Sequence, residues 1–411
     1  MDEQFIPTNW EKNRGNLITV IGVGGGGSNA VNYMHSLGIT DVDFVVCNTD
    51  VQALENSPVP NKLQIGQVLT KGLGAGTDYL TGRKAAQESI DEINKMLEGD
   101  NQMIFITCGM GGGTGTGAAP VIAEAAKAMG KLTVGVVTIP FRDEGKESLY
   151  RAVEGIKELS KHVDSILIID NQKLYQLFGN MNIFTAFPRA DEVLATAVRS
   201  IAEIITKSGY INVDFADVKK VMQNSGVAIM GIGEASGPDR ASKAVEQAFN
   251  SPLLNDLNLK SVKNALINIT SSSDAENGLS MEELSQIMDS TKQYTGATIN
   301  FKRGLVKNDE MGDRISVTII ATGFEMGQLP VIDESEVNRN NKIDISQSSA
   351  AFSERKHGMP VAPDNDKVLN KRRMPGIPSL VTEDPHVIAA LEDEPAFFRR
   401  DKILNENENE I

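Results

Sequence analysis

The stretch Met103-Ile104-Phe105-Ile106-Thr107-Cys108-Gly109-Met110-Gly111-Gly112-Gly113-Thr114-Gly115-Thr116-Gly117 decides the fold. Its first six residues form a continuous apolar run, as in a strand buried on both faces, and Ala118 to Met129 continue at helical spacing. The glycines therefore stand at a helix N-terminus, where backbone N–H groups are unpaired and the helix dipole is positive. An anion such as a nucleotide phosphate approaches such a turn closely only where side chains are missing, and Thr114 and Thr116 add hydroxyl donors. Pro120 is expected in the first turn of the helix, where it loses no hydrogen bond. No Gly-x-x-x-x-Gly-Lys-Ser/Thr occurs in the chain, so no lysine follows the glycines to offset phosphate charge. A divalent cation, Mg²⁺, is expected to supply that offset.

Working outward, the strand Leu17 to Ile21 runs into a second glycine turn, Gly22-Val23-Gly24-Gly25-Gly26-Gly27-Ser28-Asn29, and a third, Gly72-Leu73-Gly74-Ala75-Gly76, lies between the two. The first turn alone satisfies the dinucleotide pattern, with Asp50 as a ribose-binding acid, and would suit an NAD-type oxidoreductase. A dinucleotide site needs one such turn, and this chain has three. Strands expected near 17–23, 44–49, 103–108, 132–138 and 165–170 alternate with helices, the mark of a parallel sheet whose ligands bind at the carboxyl ends of its strands. Val193, Leu194, Ala197, Val198, Ile201, Ile204 and Ile205 then trace a long helix ending near Ser208-Gly209. Beyond it, strands near 263–270, 296–302 and 314–322 predict a smaller α+β unit. From about 331 to 383 the chain is rich in Asn, Ser, Asp, Lys and Pro and cannot offset its ordering entropy. As a flexible coil of about 50 residues it would span roughly 40 Å.

Composition sets the bounds. The 411 residues, 40% hydrophobic and 23% charged, suffice for two packed domains and a tail. A formal net charge of −15 excludes a nucleic-acid partner as an expectation, since phosphate backbones demand basic surface. Residues 1–15 are polar and no run approaches a membrane span, so a cytoplasmic location is expected. Cys47 and Cys108 each close a buried strand and read as reduced, small hydrophobes. His35, His162, His357 and His386 are too scattered for a metal cluster.

The run Gly111 to Gly117 resembles the signature of the tubulin/FtsZ GTPase family, and the resemblance to its bacterial, FtsZ-type members extends from about residue 13 to about 327. It is carried also by Asn48-Thr49-Asp50, Thr138-Ile139-Pro140-Phe141, Phe187 to Leu194, Asn212-Val213-Asp214-Phe215-Ala216-Asp217 and Met230-Gly231-Ile232-Gly233-Glu234-Ala235. It implies an N-terminal arm at 1–12, a GTP-binding domain at 13–183, a central helix at 184–209 and an α+β domain at 210–327. A disordered linker at 328–384 and a partner-docking tail at 385–411 complete the layout. It also implies binding of GTP and GDP with Mg²⁺ in a self-polymerising GTPase of bacterial cell division, organised as a ring at mid-cell.

Guanine offers N1–H and a 2-amino group side by side, and one carboxylate accepts from both. Asp191 is the candidate, with Phe187 expected at or just before the start of the long helix to cover the base and, by resemblance, Asn29 as a further contact. Gly25, Gly26, Gly111, Gly112, Gly113, Thr114, Gly115 and Thr116 fall to the phosphates. The resemblance assigns ribose and phosphate contacts to Glu144, Asn171, Asn48, Gly76 and Thr138. Three positions depart from the family pattern: Ser148 where relatives carry arginine, and Tyr79 and Asp170 where they carry proline.

No general base lies beside the glycine turns. The acids that read as catalytic, Asp214 and Asp217 with Asn212, stand after the long helix, where the resemblance implies that they serve the nucleotide of the next subunit in a head-to-tail filament. A plainer role is equally physical, with Asp214 as an N-cap and Asp217 in the first helical turn. A nucleotide-binding scaffold that assembles without hydrolysis is the alternative, and intact Asn212, Asp214 and Asp217 weigh against it.

Near the C-terminus, Pro395, Phe397 and Phe398 resemble the peptide by which the family docks onto membrane tethers and regulatory division proteins. Two adjacent aromatics beyond a long polar segment suit a partner groove. Removing residues from 390 onward is expected to leave GTP hydrolysis intact and abolish tether binding, as read by phosphate release and pull-down; loss of polymerisation in that truncation would overturn the docking role.

Overall fold

A computed structural model describes residues 16–178, 181–206, 214–251, 262–274, 276–295 and 300–324. The N-terminal arm, Asn212, the linker and the tail with Pro395, Phe397 and Phe398 lie outside the described residues.

The first half alternates as expected: β1 (Ile18–Val23), α1 (Gly24–Ser36), β2 (Val42–Asn48), α2 (Val51–Glu55), β3 (Asn61–Gln64), α3 (Gln67–Thr70), α4 (Tyr79–Glu88), α5 (Ile90–Leu97), β4 (Met103–Gly109), α6 (Thr114–Ala128), β5 (Leu132–Ile139), α7 (Lys146–His162), β6 (Ser165–Asp170) and α8 (Asn171–Phe178). The long helix α9 (Ile183–Thr206) follows, then α10 (Phe215–Met222), β7 (Gly226–Ala235), α11 (Arg240–Phe249), β8 (Asn264–Ser271), α12 (Met281–Thr295), β9 (Asn300–Lys307) and β10 (Ile315–Phe324).

All ten strands join one sheet, in the order β3-β2-β1-β4-β5-β6-β7-β10-β8-β9. From β3 to β6 every pair is parallel. Three residue pairs, Ser165 to Leu167 against Gly226 to Ala228, join β6 to β7, also in parallel. The antiparallel pairs are β7–β10 and β10–β8, and β9 runs parallel to β8.

Alternation along the strands divides the core between the two faces. Ile21, Val23, Ile104, Ile106 and Cys108 pack on one side beneath α6, α7 and α11, while Ile18, Val20, Met103 and Phe105 pack on the other with α1 and α9. The predicted apolar stripe of α9 is buried at Val193, Leu194, Ala197, Val198, Ile201 and Ile204. The helix touches α1, β5 and β9, and so braces both halves of the sheet. Cys47 and Cys108 are fully buried, and burial pushes each thiol up to about 12, which leaves them inert.

Several expectations need correction. Pro120 lies well inside α6, because the helix begins at Thr114. The second unit has four strands, not three. β7 was missed because Gly231 and Gly233 break its apolar pattern, and a Cβ on Gly233 would stand 1.9 Å from the Ala244 carbonyl oxygen and 2.6 Å from Ala248 N. The glycine lets α11 lie directly on the strand. The short edge strand β3, Asn-Lys-Leu-Gln, is too polar to stand out. The strand expected at 296–302 continues to Lys307, past Lys302-Arg303-Gly304, which read as its end. Gly304 lies close to Ile204 of α9, whose Cγ1 is 3.3 Å from where a Cβ would be.

Gly233→Ala should therefore lower stability by about 1–3 kcal/mol through overpacking of β7 against α11. A denaturant titration checks it, and an unchanged midpoint would refute the close approach.

Candidate functional site: a nucleotide edge

The parallel strands deliver their carboxyl ends to one edge, and the three glycine turns meet there. A Cβ on Gly24 would stand 2.8 Å from Gly115 N, and one on Gly26 would stand 3.3 Å from Gly109 Cα. One on Gly113 would meet Ala75 Cβ at 2.9 Å and Asp78 N at 3.1 Å. Gly111, at φ +99°, is closed off by Ser148 Oγ at 2.6 Å, and Gly115 by the Gly109 carbonyl at 2.7 Å. These glycines are required by packing. Gly25, Gly76 and Gly112 have nothing within 4 Å of a Cβ position and are exposed. There the bare backbone faces open space, the property a phosphate cradle needs.

The threonines differ from expectation. Thr114 and Thr116 are buried; the Thr114 hydroxyl lies 2.7 Å from that of Thr49, and Thr116 Oγ1 accepts the Gly111 N–H at 2.9 Å. Their hydroxyls shape the turn, tying it to β2 and to itself. Asn48 is buried, and its Oδ1 accepts the backbone N–H groups of Thr49 and Asp50. Asp50, the acid of the dinucleotide reading, caps α2 by accepting from Gln52 and Ala53. Thr138 is the penultimate residue of β5, beside Gly109, and its carbonyl accepts the Met110 N–H.

Glu144 is exposed in a short 3₁₀ turn, where its Oε1 accepts the Phe141 N–H at 2.8 Å. Arg142 joins that turn to the end of β6, with its N–H donating to Gln172 and its guanidinium 3.6 Å from Asp170 Oδ2. The two family departures from proline have local explanations. Tyr79 is the first residue of α4, the position where proline is favoured because its N–H has no intrahelical partner, and Asp78 caps the helix instead. Asp170 precedes α8 and accepts the Gln172 N–H at 2.9 Å, which starts that helix without proline.

The third departure exposes a residue that sequence reading missed. Ser148 packs on Gly111, and one turn later on the same face of α7, Arg151 donates from Nε to the Gly111 carbonyl at 2.9 Å. Its NH1 pairs with Glu147 at 2.9 Å. A cation thus stands at the glycine turn although no lysine follows the motif. Its signal was the i,i+3 spacing from Ser148.

Asp191 lies on α9, and burial pushes its carboxyl up to about 6. It faces α1, where its charge, with that of Glu192, adds to the burial that raises the Tyr33 hydroxyl. Tyr33 stands one helical turn beyond Asn29, so it shares the α1 face that meets Asp191 and belongs beside the expected base contacts. Phe187 lies inside α9, which begins at Ile183, rather than at its start. Two buried polar atoms without hydrogen-bond partners lie at this edge: Ser28 Oγ and Asn171 Oδ1. Such atoms call for a ligand or water. Among the described residues no group of three or more His, Cys, Asp or Glu could hold a metal by itself.

Asp214 caps α10, its Oδ1 accepting the Asp217 N–H at 2.7 Å, and Asp217 pairs with Lys302 of β9. β9 is six strands from β4, about 29 Å at the usual strand spacing. The structure therefore does not bring these acids to the glycine edge of their own chain.

The family model for the GTPase domain of the Tubulin/FtsZ family matches residues 17–179, and that for the C-terminal domain of the FtsZ family matches 226–325. The chain belongs to the tubulin/FtsZ family. The cell division protein FtsZ of Azotobacter vinelandii is 50% identical over 309 residues, 75% of this chain and 77% of that one. The FtsZ of Porphyromonas gingivalis is 39% identical over 408 residues, 96% of this chain and 87% of that one. Among solved structures, an empty FtsZ dimer from M. jannaschii has a TM-score of 0.71 at 42% identity, covering 76% of this chain and 89% of that one. CetZ2 from Haloferax volcanii, at 22% identity and TM-score 0.67, shares the fold. Membership of this GTPase family implies guanine-nucleotide binding by the domain built on the mostly parallel part of the sheet.

Guanine binding should then depend on pH. Burial favours the protonated Asp191 carboxyl, so the empty protein loses stability as pH rises from about 4, the unfolded value, to about 6. Guanine donors favour the carboxylate, so GDP affinity should fall by up to about tenfold per pH unit below 6. Asp191→Asn should flatten that profile in calorimetric titrations at several pH values, and Asp191→Ala should relax the preference for GTP over ATP by about ten- to a hundredfold. Unchanged discrimination in competition binding would refute the assignment.

Proposed function

We propose that the chain is a GTP-dependent, self-assembling GTPase of bacterial cell division, in which subunits stack head to tail and the acidic turn of one completes the hydrolysis site of the next. The observation that carries this reading is the separation just described: the candidate acids Asp214 and Asp217 stand about six strands from the glycine edge of their own chain. Only a second copy can bring the two together. An interface of this heterologous kind does not close on itself, and its product is a filament.

The nucleotide edge also carries exposed apolar side chains suited to such a contact. Val68, Leu69, Leu73 and Leu80 are all exposed, Val68 and Leu73 by more than 80%. Glu88 holds this surface in shape by accepting the backbone N–H groups of Val68 and Leu69 at 2.9 and 3.0 Å. Clustered exposed apolar residues beside a ligand edge mark an interaction surface. The empty FtsZ dimer from M. jannaschii agrees with self-association.

In the assembled site, Gly25, Gly26, Gly76 and Gly111 to Gly113 present backbone to the phosphates, with Arg151 holding the Gly111 carbonyl. Asn48, Thr138, Glu144 and Asn171 line the ribose and phosphate path; Asn29, Phe187 and Asp191 read the base. Bound with the nucleotide, Mg²⁺ would supply charge offset on its phosphates, since no lysine follows the glycine turn. Carboxylates of Asp214 and Asp217, with Asn212, orient a water whose oxygen bonds to the γ-phosphorus as the bond to the β,γ-bridging oxygen breaks, leaving GDP and phosphate. The tail around Pro395, Phe397 and Phe398 docks the filament to membrane tethers and regulators, and the assembly forms a cytoplasmic ring at mid-cell. No helix among the described residues is long and apolar enough to cross a membrane.

Phosphate release from GTP with Mg²⁺, measured over a range of protein concentrations, tests the reading. Activity per subunit should be near zero below a threshold and climb above it. A rate per subunit independent of concentration would mean a self-contained site, and binding without turnover at any concentration would make the chain a non-hydrolysing scaffold.

A further inference from the structure

The sequence reading assigned nothing to Lys302, and the strand that carries it was expected to end there. A lysine on β9, the last strand of the sheet, has a bland reading: edge strands carry lysine to discourage pairing with other chains. The geometry is more specific. The Lys302 ammonium pairs with the carboxylate of Asp217, which belongs to a helix reached through a different part of the chain. The Lys302 and Asp217 side chains are 37% and 35% exposed, so the pair sits at the surface, within reach of an arriving partner. Exposed ion pairs add little to stability, so holding the fold together is a poor account of it.

Its placement has a chemical meaning at a shared site. Asp214 is already committed, its carboxylate oxygen accepting the Asp217 N–H at the start of α10. Asp217 is the second acid of that turn, and its charge would also confront a polyanionic triphosphate, where like charges repel. An adjacent ammonium offsets that repulsion, and it fixes the carboxylate's direction. One of its three donors suffices for Asp217. The chain lacks the lysine that usually follows a phosphate-binding glycine turn, and the cation on that turn, Arg151, is bound to a carbonyl and to Glu147.

We infer that Lys302 is a positioning residue for hydrolysis: it holds the Asp217 carboxylate in its productive direction and carries positive charge with it to the triphosphate of the adjoining subunit. This rests on the shared-site reading under "Proposed function".

The test compares full-length Lys302→Gln and Lys302→Arg with wild type. Wild-type turnover is taken first over protein concentration, and a rate independent of concentration would defeat the shared site itself, whatever the variants do. Given a threshold, GDP affinity of unassembled subunits should be unchanged in both variants, because the nucleotide edge lies on other strands. Turnover per sedimented subunit should fall about ten- to a hundredfold in Lys302→Gln, and Lys302→Arg should retain most of it. Labelled Lys302→Gln subunits are also mixed with wild type, so that wild-type subunits sustain assembly. They should enter the pellet and lower its turnover in proportion to their share. Wild-type turnover in Lys302→Gln filaments would overturn the inference. So would failure of arginine to rescue, and so would exclusion of the labelled subunits from mixed filaments, which would make Lys302 an assembly contact instead.

Discussion

The architecture depends on backbone lying directly on backbone where β1 and β4 end side by side. A Cβ on Gly27 would stand 2.2 Å from the Thr107 carbonyl oxygen, one on Gly22 would stand 2.4 Å from that of Gly27, and one on Gly24 would press on Gly115 N. With no side chains between them, two strand–turn–helix units interlock. The N-termini of α1 and α6 then open toward the same side of the sheet, and their unpaired N–H groups and dipoles add. The third turn closes against Gly113 from the far side. A single larger residue at any of these contacts would separate the turns, and the concave edge would disappear with them.

Much of this was legible in the sequence because its signals are local. A strand buried on both faces reads as an unbroken apolar run, which is why β1, β4, β5 and β6 stand out. The stripe of α9 was equally clear. What escaped notice was set by tertiary contact. β7 is interrupted by Gly233, whose reason is α11, and β9 continues through Lys302-Arg303-Gly304, with Ile204 of α9 beside the glycine. At the site, the glycine turns announced themselves, but which glycines face packing and which face open space depends on neighbours far away in sequence. For the same reason the ties of Thr114 to Thr49 and of Thr116 to Gly111 could not be read from the motif. Arg151 and Tyr33 had no motif to mark them and became visible only through their neighbours.

The handling of charge follows a consistent pattern. In a chain with a net charge of −15, the nucleotide edge holds its cations on elements other than the glycine turns. Arg151 comes from α7, and Arg142 from the turn before it. Each is already engaged, Arg151 by the Gly111 carbonyl and Glu147, and Arg142 by Asp170. The half-buried Asp191 does the opposite: desolvation makes its charge costly.

The seam between β6 and β7 has a mechanical consequence. Three residue pairs hold it, against six between β5 and β6 and nine between β7 and β10. Tension applied across the strands would open these few pairs one after another, like a zipper, instead of loading them together. The covalent path between the two halves runs instead along the 24 residues of α9, which packs on both. A pull directed from one end of the molecule to the other would therefore travel through a helix as a tie rod, with the sheet as a compliant joint beside it.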